Sequence, residues 1–346
     1  MTDPSPKRLG YRMPAEWEPH RTVWLAWPSA ADLWRDNLAP AQEEVTALCE
    51  EIADRDENGR ARGERISMLV PTDAARHEAE RHLRGLPVDF HAIPFGDIWL
   101  RDIAPLFLTG SGPACARFAF NGWGGKYNLD HDNDVAVRIA QAAGLTTFVS
   151  PVVLEGGSIE LDGEGTCLTT KQCLLNPNRN PTLTAEAVET AIKDNLGVER
   201  TLWLNEGLVN DHTDGHIDTL ARFTAPGKVL CMRSWRDDDP NKPVLAEIER
   251  DLTAMVDAKG RALNVNVIPS PGVVRDEDGR VMPASYLNFY IANTTVVVPT
   301  YGSDVDGAAV DAIAEHFPGR RVIGCRALAI LSGGGAFHCI SQQQPA

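Results

Sequence analysis

The chain has 346 residues, and its 48 acidic against 33 basic side chains give a formal net charge of −15. That balance, without a Lys/Arg run anywhere to offset it locally, excludes a nucleic-acid backbone as partner and suits a cationic small molecule. At 43% hydrophobic and 23% charged, the composition is that of a folded protein and excludes disorder of the whole chain.

In chain order, Met1–His20 carry prolines and charges and no apolar h-region, so no secretory leader is expected. No stretch approaches the roughly eighteen consecutive apolar residues of a membrane span. Short β-rich runs that stop at a proline predict strands over 23–28, 66–71, 88–94, 265–269 and 295–299. Helical spacing with good helix formers predicts helices over 41–54, 73–84, 133–143, 184–195, 242–258 and 306–316. Thr184, followed by Glu186 and Glu189, marks a helix start, and Gly144, Gly197 and Gly260 mark stops. The later helices begin at 133, 184, 242 and 306, a faint repeat of strand and helix modules, and no Ser-, Pro- or Gly-rich linker divides the chain. One continuous α/β domain over residues 1–346 is the favoured organisation. The seven cysteines (49, 115, 167, 173, 231, 325 and 339) are odd in number, scattered and free of C-x-x-C pairs, the usage of a reducing, cytoplasmic compartment.

Five loop-like segments are dense in residues that neither a core nor a turn requires: 96–102, 121–127, 154–158, 210–218 and 332–339. Strand ends of a closed α/β fold would bring them to one mouth. Three glycines precede Cys339 and allow close approach of a ligand, and the polar Ser341, Gln342, Gln343 and Gln344 follow it, which argues against a cysteine buried for packing alone. His216 and Asp218 are spaced i, i+2, so an extended strand would send both side chains off one face as a base and carboxylate pair. A rival reading takes His212 and His216 at i, i+4, with Asp218, as ligands of a divalent metal that activates water. Gly215 and the β-branched Thr213, Ile217 and Thr219 weaken the helix that this rival needs. Asp102 and Glu155, taken with Asp218, place up to three carboxylates near one thiol and one imidazole. Such a set harms oxyanion stabilisation and serves a cationic electrophile.

These residues resemble a known family. Met13-Pro14-Ala15-Glu16-Trp17-Glu18-Pro19-His20, Trp99-x-Arg101-Asp102, Asn121-x-Trp123-Gly124-x-Lys126, Glu155-Gly156-Gly157, Leu175-Asn176-Pro177-Asn178-Arg179-Asn180-Pro181, Thr213-Asp214-Gly215-His216-Ile217-Asp218 and Gly333-Gly334-Gly335-x-x-His338-Cys339 match, in order, the agmatine deiminase and bacterial peptidylarginine deiminase family. The resemblance implies a pentein fold, a closed five-module α/β propeller with its active site on the pseudo-fivefold axis. It implies Cys339 as nucleophile, His216 as acid/base, and Asp102 and Asp218 as the carboxylates that hold a guanidinium. Trp99, Glu155, His212 and Gly335 are then expected around the substrate, and no cofactor or metal is expected. The substrate would be a small cationic guanidine, hydrolysed to a ureido compound and ammonia; from agmatine the product would be N-carbamoylputrescine.

One departure bears on the substrate. Agmatine-specific members commonly carry Glu where this chain has His212, and an imidazole would hold the far ammonium of agmatine badly. A free or peptide-borne arginine, another small guanidine, amidino transfer to an amine, and binding without turnover stay open at this point, as does a homo-oligomer.

Overall fold

The computed structural model describes residues 5–346, so the first four residues of the Met1–His20 stretch, where no leader is expected, lie outside the described residues. Five small sheets make up its β structure among the described residues. The first contains β1 (His20–Ala26), β2 (Arg65–Val70) and β3 (Val88–Ala92), all parallel, with α1 (Leu38–Ala53) and α2 (Asp73–His82) as the crossovers. Each later sheet repeats one pattern, a short strand paired antiparallel with a second, which a helix then connects to a parallel third. The pattern gives β4 (Leu106–Leu108), β5 (Ala114–Ala119), α3 (Asp132–Ala142) and β6 (Thr146–Val153). It recurs as β7 (Glu160–Leu161), β8 (Thr166–Thr170), α4 (Ala185–Leu196) and β9 (Arg200–Leu204). It recurs again as β10 (Ala221–Ala225), β11 (Lys228–Arg233), α5 (Lys242–Ala254) and β12 (Asn264–Pro269). The last copy is β13 (Tyr290–Ile291), β14 (Thr295–Thr300), α6 (Asp306–Ala314) and β15 (Arg321–Arg326).

The first sheet lacks its own antiparallel strand, and the far end of the chain supplies it. β16 (Gln342–Pro345) pairs with β1, placing Gln343 opposite Val23 and Gln342 opposite Trp24. This pairing closes the ring as a five-module α/β propeller, the expected architecture. Neighbouring modules touch through these first strands, β16 with β4 and β7 with β10. Loops that lead into the first strands therefore converge on the axis.

All six expected helices form, and Thr184 caps α4 by accepting from the Ala187 N–H, while Gly197 ends it at φ 77°. Two helical expectations are corrected. The helix expected over 242–258 stops at Ala254, because Met255 turns extended and Val256 bridges Ala262, and Gly260 belongs to that hairpin instead of a helix end. The polar residues after Cys339 do not form a solvated tail. Ser341, Gln342, Gln343 and Gln344 are buried, because the ring needs them as β16. Trp24 donates its Nε1–H to Gln344 Oε1 at 2.9 Å, and Arg101 donates to Gln343 Oε1 at 2.8 Å, which makes the burial of two of these amides tolerable.

Two apolar clusters fill the molecule. The larger runs from β1 and α1 through β11 and β14 to Phe337, Cys339 and Ile340. The smaller unites β4 and β5 with α4 and includes Tyr11 and Met13 of the segment before β1. Backbone pairs of Arg12 with Thr109 and of Met13 with Leu196 strap that segment across two modules and carry Glu16 to the axis. All seven cysteines are unpaired, and no helix among the described residues is long and apolar enough to cross a membrane.

Phe337 is fully buried two residues before Cys339. Phe337→Ala is expected to lower unfolding free energy by about 3–5 kcal/mol, the range for aromatic truncation in a core, as read from chemical denaturation. A change within error would show that this segment is not an integral part of the ring.

Candidate functional site

Each segment that leads into a first strand brings one or two polar groups to the axis. Asp102 precedes β4, Glu155 and Gly157 precede β7, His216 and Asp218 precede β10, Asn288 precedes β13, and Cys339 precedes β16. The polar segments singled out in the sequence meet here, joined by Trp123 from the loop after β5.

Asp102 lies in a single helical turn, Leu100–Ile103, and is fixed from both sides. Its Oδ1 accepts from the Gly157 N–H and its Oδ2 from Trp123 Nε1, each at 2.9 Å. Trp123 takes a left-handed φ of 52°, rare for a bulky side chain, and Asn121 holds that turn by accepting from the Gly124 N–H. Trp99 donates to Asp97 and stacks near Trp34, and both indoles wall the glycine segment before Cys339.

His216 and Asp218 do not share a strand. His216 has extended backbone ahead of the turn Ile217–Thr219, and Asp218 lies within that turn, because the Asp211 carboxylate and the Thr213 hydroxyl bend the chain by accepting from the His216 N–H. The turn still delivers both to the site. His216 is buried with neither ring nitrogen hydrogen-bonded, Nδ1 lying 3.9 Å from Asp102 Oδ2 and Nε2 4.0 Å from Glu155 Oε2. Glu155 gives its other oxygen to Arg179 Nε at 2.6 Å, so it faces His216 from behind and is anchored there.

Cys339 is the centre of the last approach. Asn288 Nδ2 donates to its Sγ at 3.1 Å, and the thiol donates to Asp218 Oδ2 at 3.4 Å. Asn288 Oδ1 also accepts the N–H groups of His338 and Cys339, which fixes the backbone under the sulfur. Glycine is required at 335, where a Cβ would stand 2.8 Å from Cys339 Cβ and 3.0 Å from Sγ. At Gly157 a Cβ would lie 2.6 Å from His216 Nδ1 and about as close to Asp102 and Asp218, so the missing side chain leaves the gap between these three groups.

The charges follow from burial and neighbours. Burial, with Asp218 and Asp102 alongside, pushes the Cys339 thiol well above its ordinary value. Burial opposes charge on His216, yet Asp102, Glu155, Asp218 and Asp211 outweigh it and raise the imidazole above its ordinary value. Burial raises Asp102, with Glu155 and Asp218 adding to the effect and His216 opposing it. Burial pushes Asp218 up as well, but the hydrogen bond and charge of His338, with His216 and Arg222, win and hold it below the usual carboxylate range. The two shifts act together, favouring the neutral thiol over the thiolate and the protonated imidazole over the neutral ring.

His212 stands at the rim. It is exposed, stacks on Tyr127, has Nδ1 2.8 Å from the Tyr127 hydroxyl, and its ring reaches within 3.9 Å of a Cβ position at Gly334. The metal reading through His212, His216 and Asp218 is corrected by this geometry, since residues 212–216 form turns, not a helix, and His212 lies outside both donor clusters found among the described residues. Those clusters are Glu155, Cys173 and His216, and Glu16, Glu160 and His338. In each the glutamate is already paired with a guanidinium, Arg179 on Glu155 Oε1 and Arg101 with Arg222 on Glu16.

Sequence reasoning missed Asn288, Gly157 and Arg179 as parts of this arrangement. A lone Asn inside Tyr286-Leu287-Asn288-Phe289-Tyr290 was the available signal for the first, since a buried amide in an apolar run needs a partner. Nothing local signals that Arg179 reaches Glu155 across 24 residues.

The sequence matches the profile of the Porphyromonas-type peptidyl-arginine deiminases over residues 12–345. It is 38% identical to an agmatine deiminase of Stutzerimonas stutzeri, an alignment that covers 99% of this chain and 97% of that one. The fold superposes on the agmatine deiminase of Enterococcus faecalis, solved catalysing its reaction, with a TM-score of 0.90 at 32% identity, covering 100% of this chain and 98% of that one. It also superposes on a Cys→Ser variant of C. jejuni agmatine deiminase with substrate bound, with a TM-score of 0.87 at 25% identity over 97% and 96% of the two chains.

The raised thiol has a direct consequence. At pH 7 the free protein's Cys339 should react slowly with iodoacetamide, and the rate should keep climbing beyond pH 9 without a plateau, as read by mass mapping of the Cys339 peptide. A plateau reached below about pH 7 would mean a preformed thiolate and imidazolium pair instead.

Proposed function

The chain belongs to the Porphyromonas-type peptidyl-arginine deiminase family, and from that premise we propose that its axial site hydrolyses a small guanidine to a ureido compound and ammonia through a covalent adduct on Cys339. The observation that carries this reading is a set of buried atoms without partners, His216 Nδ1 and Nε2 and Asp218 Oδ1, around the gap at Gly157 and beside the Cys339 sulfur. A planar cation with several N–H groups gives Asp218 Oδ1 the donor it lacks, whereas a neutral acyl substrate brings no charge to set against Asp102 and Asp218.

Delocalised charge makes a guanidinium carbon a poor electrophile, so it must be held and met by a strong nucleophile. Asp102 and Asp218 fork onto its N–H groups and bring the carbon to the sulfur. The bound cation offsets the two carboxylates that suppress the thiolate, so Cys339 releases its proton to solvent once substrate is present. Sγ attacks and a C–S bond forms. His216, already protonated, gives its proton to the departing nitrogen, the C–N bond breaks and ammonia leaves. A water then attacks the amidino carbon and His216 takes one of its protons; the C–S bond breaks as the remaining hydroxyl proton passes to the leaving sulfur, which releases the ureido product and restores the thiol. Glu155 behind His216 favours the imidazolium through each cycle. Rates fall on the alkaline side as His216 loses its proton, above its ordinary value.

The substrate's far end meets the rim. Relatives named for agmatine give agmatine a place in the substrate panel, and agmatine would yield N-carbamoylputrescine. His212 with Tyr127 offers no carboxylate to a distal ammonium, so a free or peptide-borne arginine, or a guanidine without that ammonium, fits the rim better.

Agmatine, arginine, peptidyl-arginine and shorter guanidines, assayed for ammonia and ureido product together, test this reading. Wild type should turn over at least one, and Cys339→Ala should turn over none while still binding it; substantial turnover by that variant would sink the covalent route. His212→Glu should raise agmatine turnover relative to arginine by about 10-fold or more, since a charge-assisted hydrogen bond is worth about 1.5–3 kcal/mol. An unchanged ratio would show that residue 212 does not meet the substrate tail.

A further inference from the structure

His338 is fully buried beside Cys339 in the chain, yet no step above uses it. Its Nδ1 lies 2.7 Å from Asp218 Oδ2 and its Nε2 lies 2.8 Å from Glu16 Oε1. A neutral imidazole offers one N–H and one lone pair, so one of these contacts would set a lone pair against a carboxylate oxygen. A half-turn of the ring about Cβ–Cγ would only set carbon atoms where the nitrogens stand, and the backbone beneath it is fixed by Asn288 through the N–H and by Arg101 Nε and the Ser341 hydroxyl through the carbonyl.

Either a carboxyl is protonated or the ring carries both protons. Glu16 also receives Arg101 Nη1 at 3.1 Å and Arg222 Nη2 at 2.5 Å. Two guanidinium charges in contact with Glu16, those of Arg101 and Arg222, favour its anion against the cost of burial. Asp218 Oδ2 meanwhile accepts from the Cys339 thiol and its Oδ1 has no partner, so no contact outside His338 calls for a proton on this carboxyl.

We propose that His338 is a positioning residue, an imidazolium braced by Glu16 that keeps Asp218 anionic and aims the free Asp218 Oδ1 at the substrate cation. The role of Asp218 toward a guanidinium rests on the function proposed above; the double protonation of His338 does not. The groups that face Asp218 are His338, His216 and Arg222, with Asp102 and Cys339 acting against its charge. Those around His338 are Glu16, Asp218 and Glu160, with Arg101 and Arg222 beyond them on Glu16. Without the imidazolium, Asp218 keeps its burial and its carboxylate neighbour and loses its nearest cation. It then stays protonated to a higher pH, by about 1–3 pH units for the loss of an opposite charge at contact. Since substrate needs the anion, the acid limb of kcat/KM should move up with it.

Nitrogen-15 labelling of histidine in the intact protein, free of substrate, reads the first claim directly. At pH 7 the His338 ring should show protons on both nitrogens, the resonance being assigned by its loss in His338→Gln and by its displacement in Cys339→Ala. One bare ring nitrogen overturns the proposal, whether or not any guanidine is turned over. The second readout is the pH profile of His338→Gln. Its acid limb should rise by at least about one pH unit, the alkaline limb should stay in place, and KM should rise more than kcat falls; Glu16→Gln should move the acid limb the same way. A profile lowered equally at every pH, with its acid limb unmoved, overturns the positioning role. If His338→Gln does not fold, the wild-type spectrum, assigned through Cys339→Ala, decides.

Discussion

One carboxylate, that of Glu16, is shared by Arg101, Arg222 and His338 on the axis where the five modules meet. Arg222 also binds Glu160 at 2.9 Å and stacks on Phe289, while Arg101 reaches Gln343. These groups come from the segment before β1, the approach to β4, the strands β7 and β10, the approach to β16 and β16 itself. Every one of them is buried, so each alone would be a desolvated charge, and removing one partner of such a set costs about 3–5 kcal/mol. The network is therefore satisfied only when the ring has closed on both chain ends. Closure and the site's geometry are one event, because Cys339 immediately follows one member of the network and Asp102 another.

The five-fold repetition explains how so small a site collects so many functional types. A loop that precedes a first strand has no sheet partners of its own and ends at the axis, so any polar side chain it carries points at the others. Asp102, Glu155, Asp218, Asn288 and Cys339 occupy corresponding places in the five modules. Their differing chemistry gives one axis two sides. Asp102 and Asp218 attract a cation, while Asn288 holds the sulfur and the backbone beneath it. Under the proposed function, the carboxylates that suppress the thiolate are the same groups that a guanidinium would neutralise, which would tie reactivity to occupancy.

Much of this was legible in the sequence where a residue type is rare in its context. The triple glycine before Cys339 and the Asp-Gly-His-Ile-Asp run are improbable in a core, and both lie at the site. The proximity of His216 and Asp218 was readable, but their geometry was not, since i, i+2 spacing invites a strand and the Asp211 and Thr213 side chains impose a turn. The buried glutamines of β16 misled for a physical reason. Polarity predicts exposure unless a partner exists, and their partners, Trp24 and Arg101, lie more than two hundred residues away. Arg179 on Glu155 and Arg222 on Glu16 were unreadable on the same ground, because only closure brings these charges together.

The central claim is a covalent bond between Cys339 and the guanidine carbon. Mixing the enzyme with its best substrate, quenching in acid within the first turnover, and measuring intact and peptide masses tests it most directly. The account predicts an adduct equal to the substrate less ammonia, carried by the peptide that contains Cys339 and lost as ureido product appears. Product formation at full rate with no adduct on that peptide, or with the adduct on another cysteine such as Cys173, would contradict it.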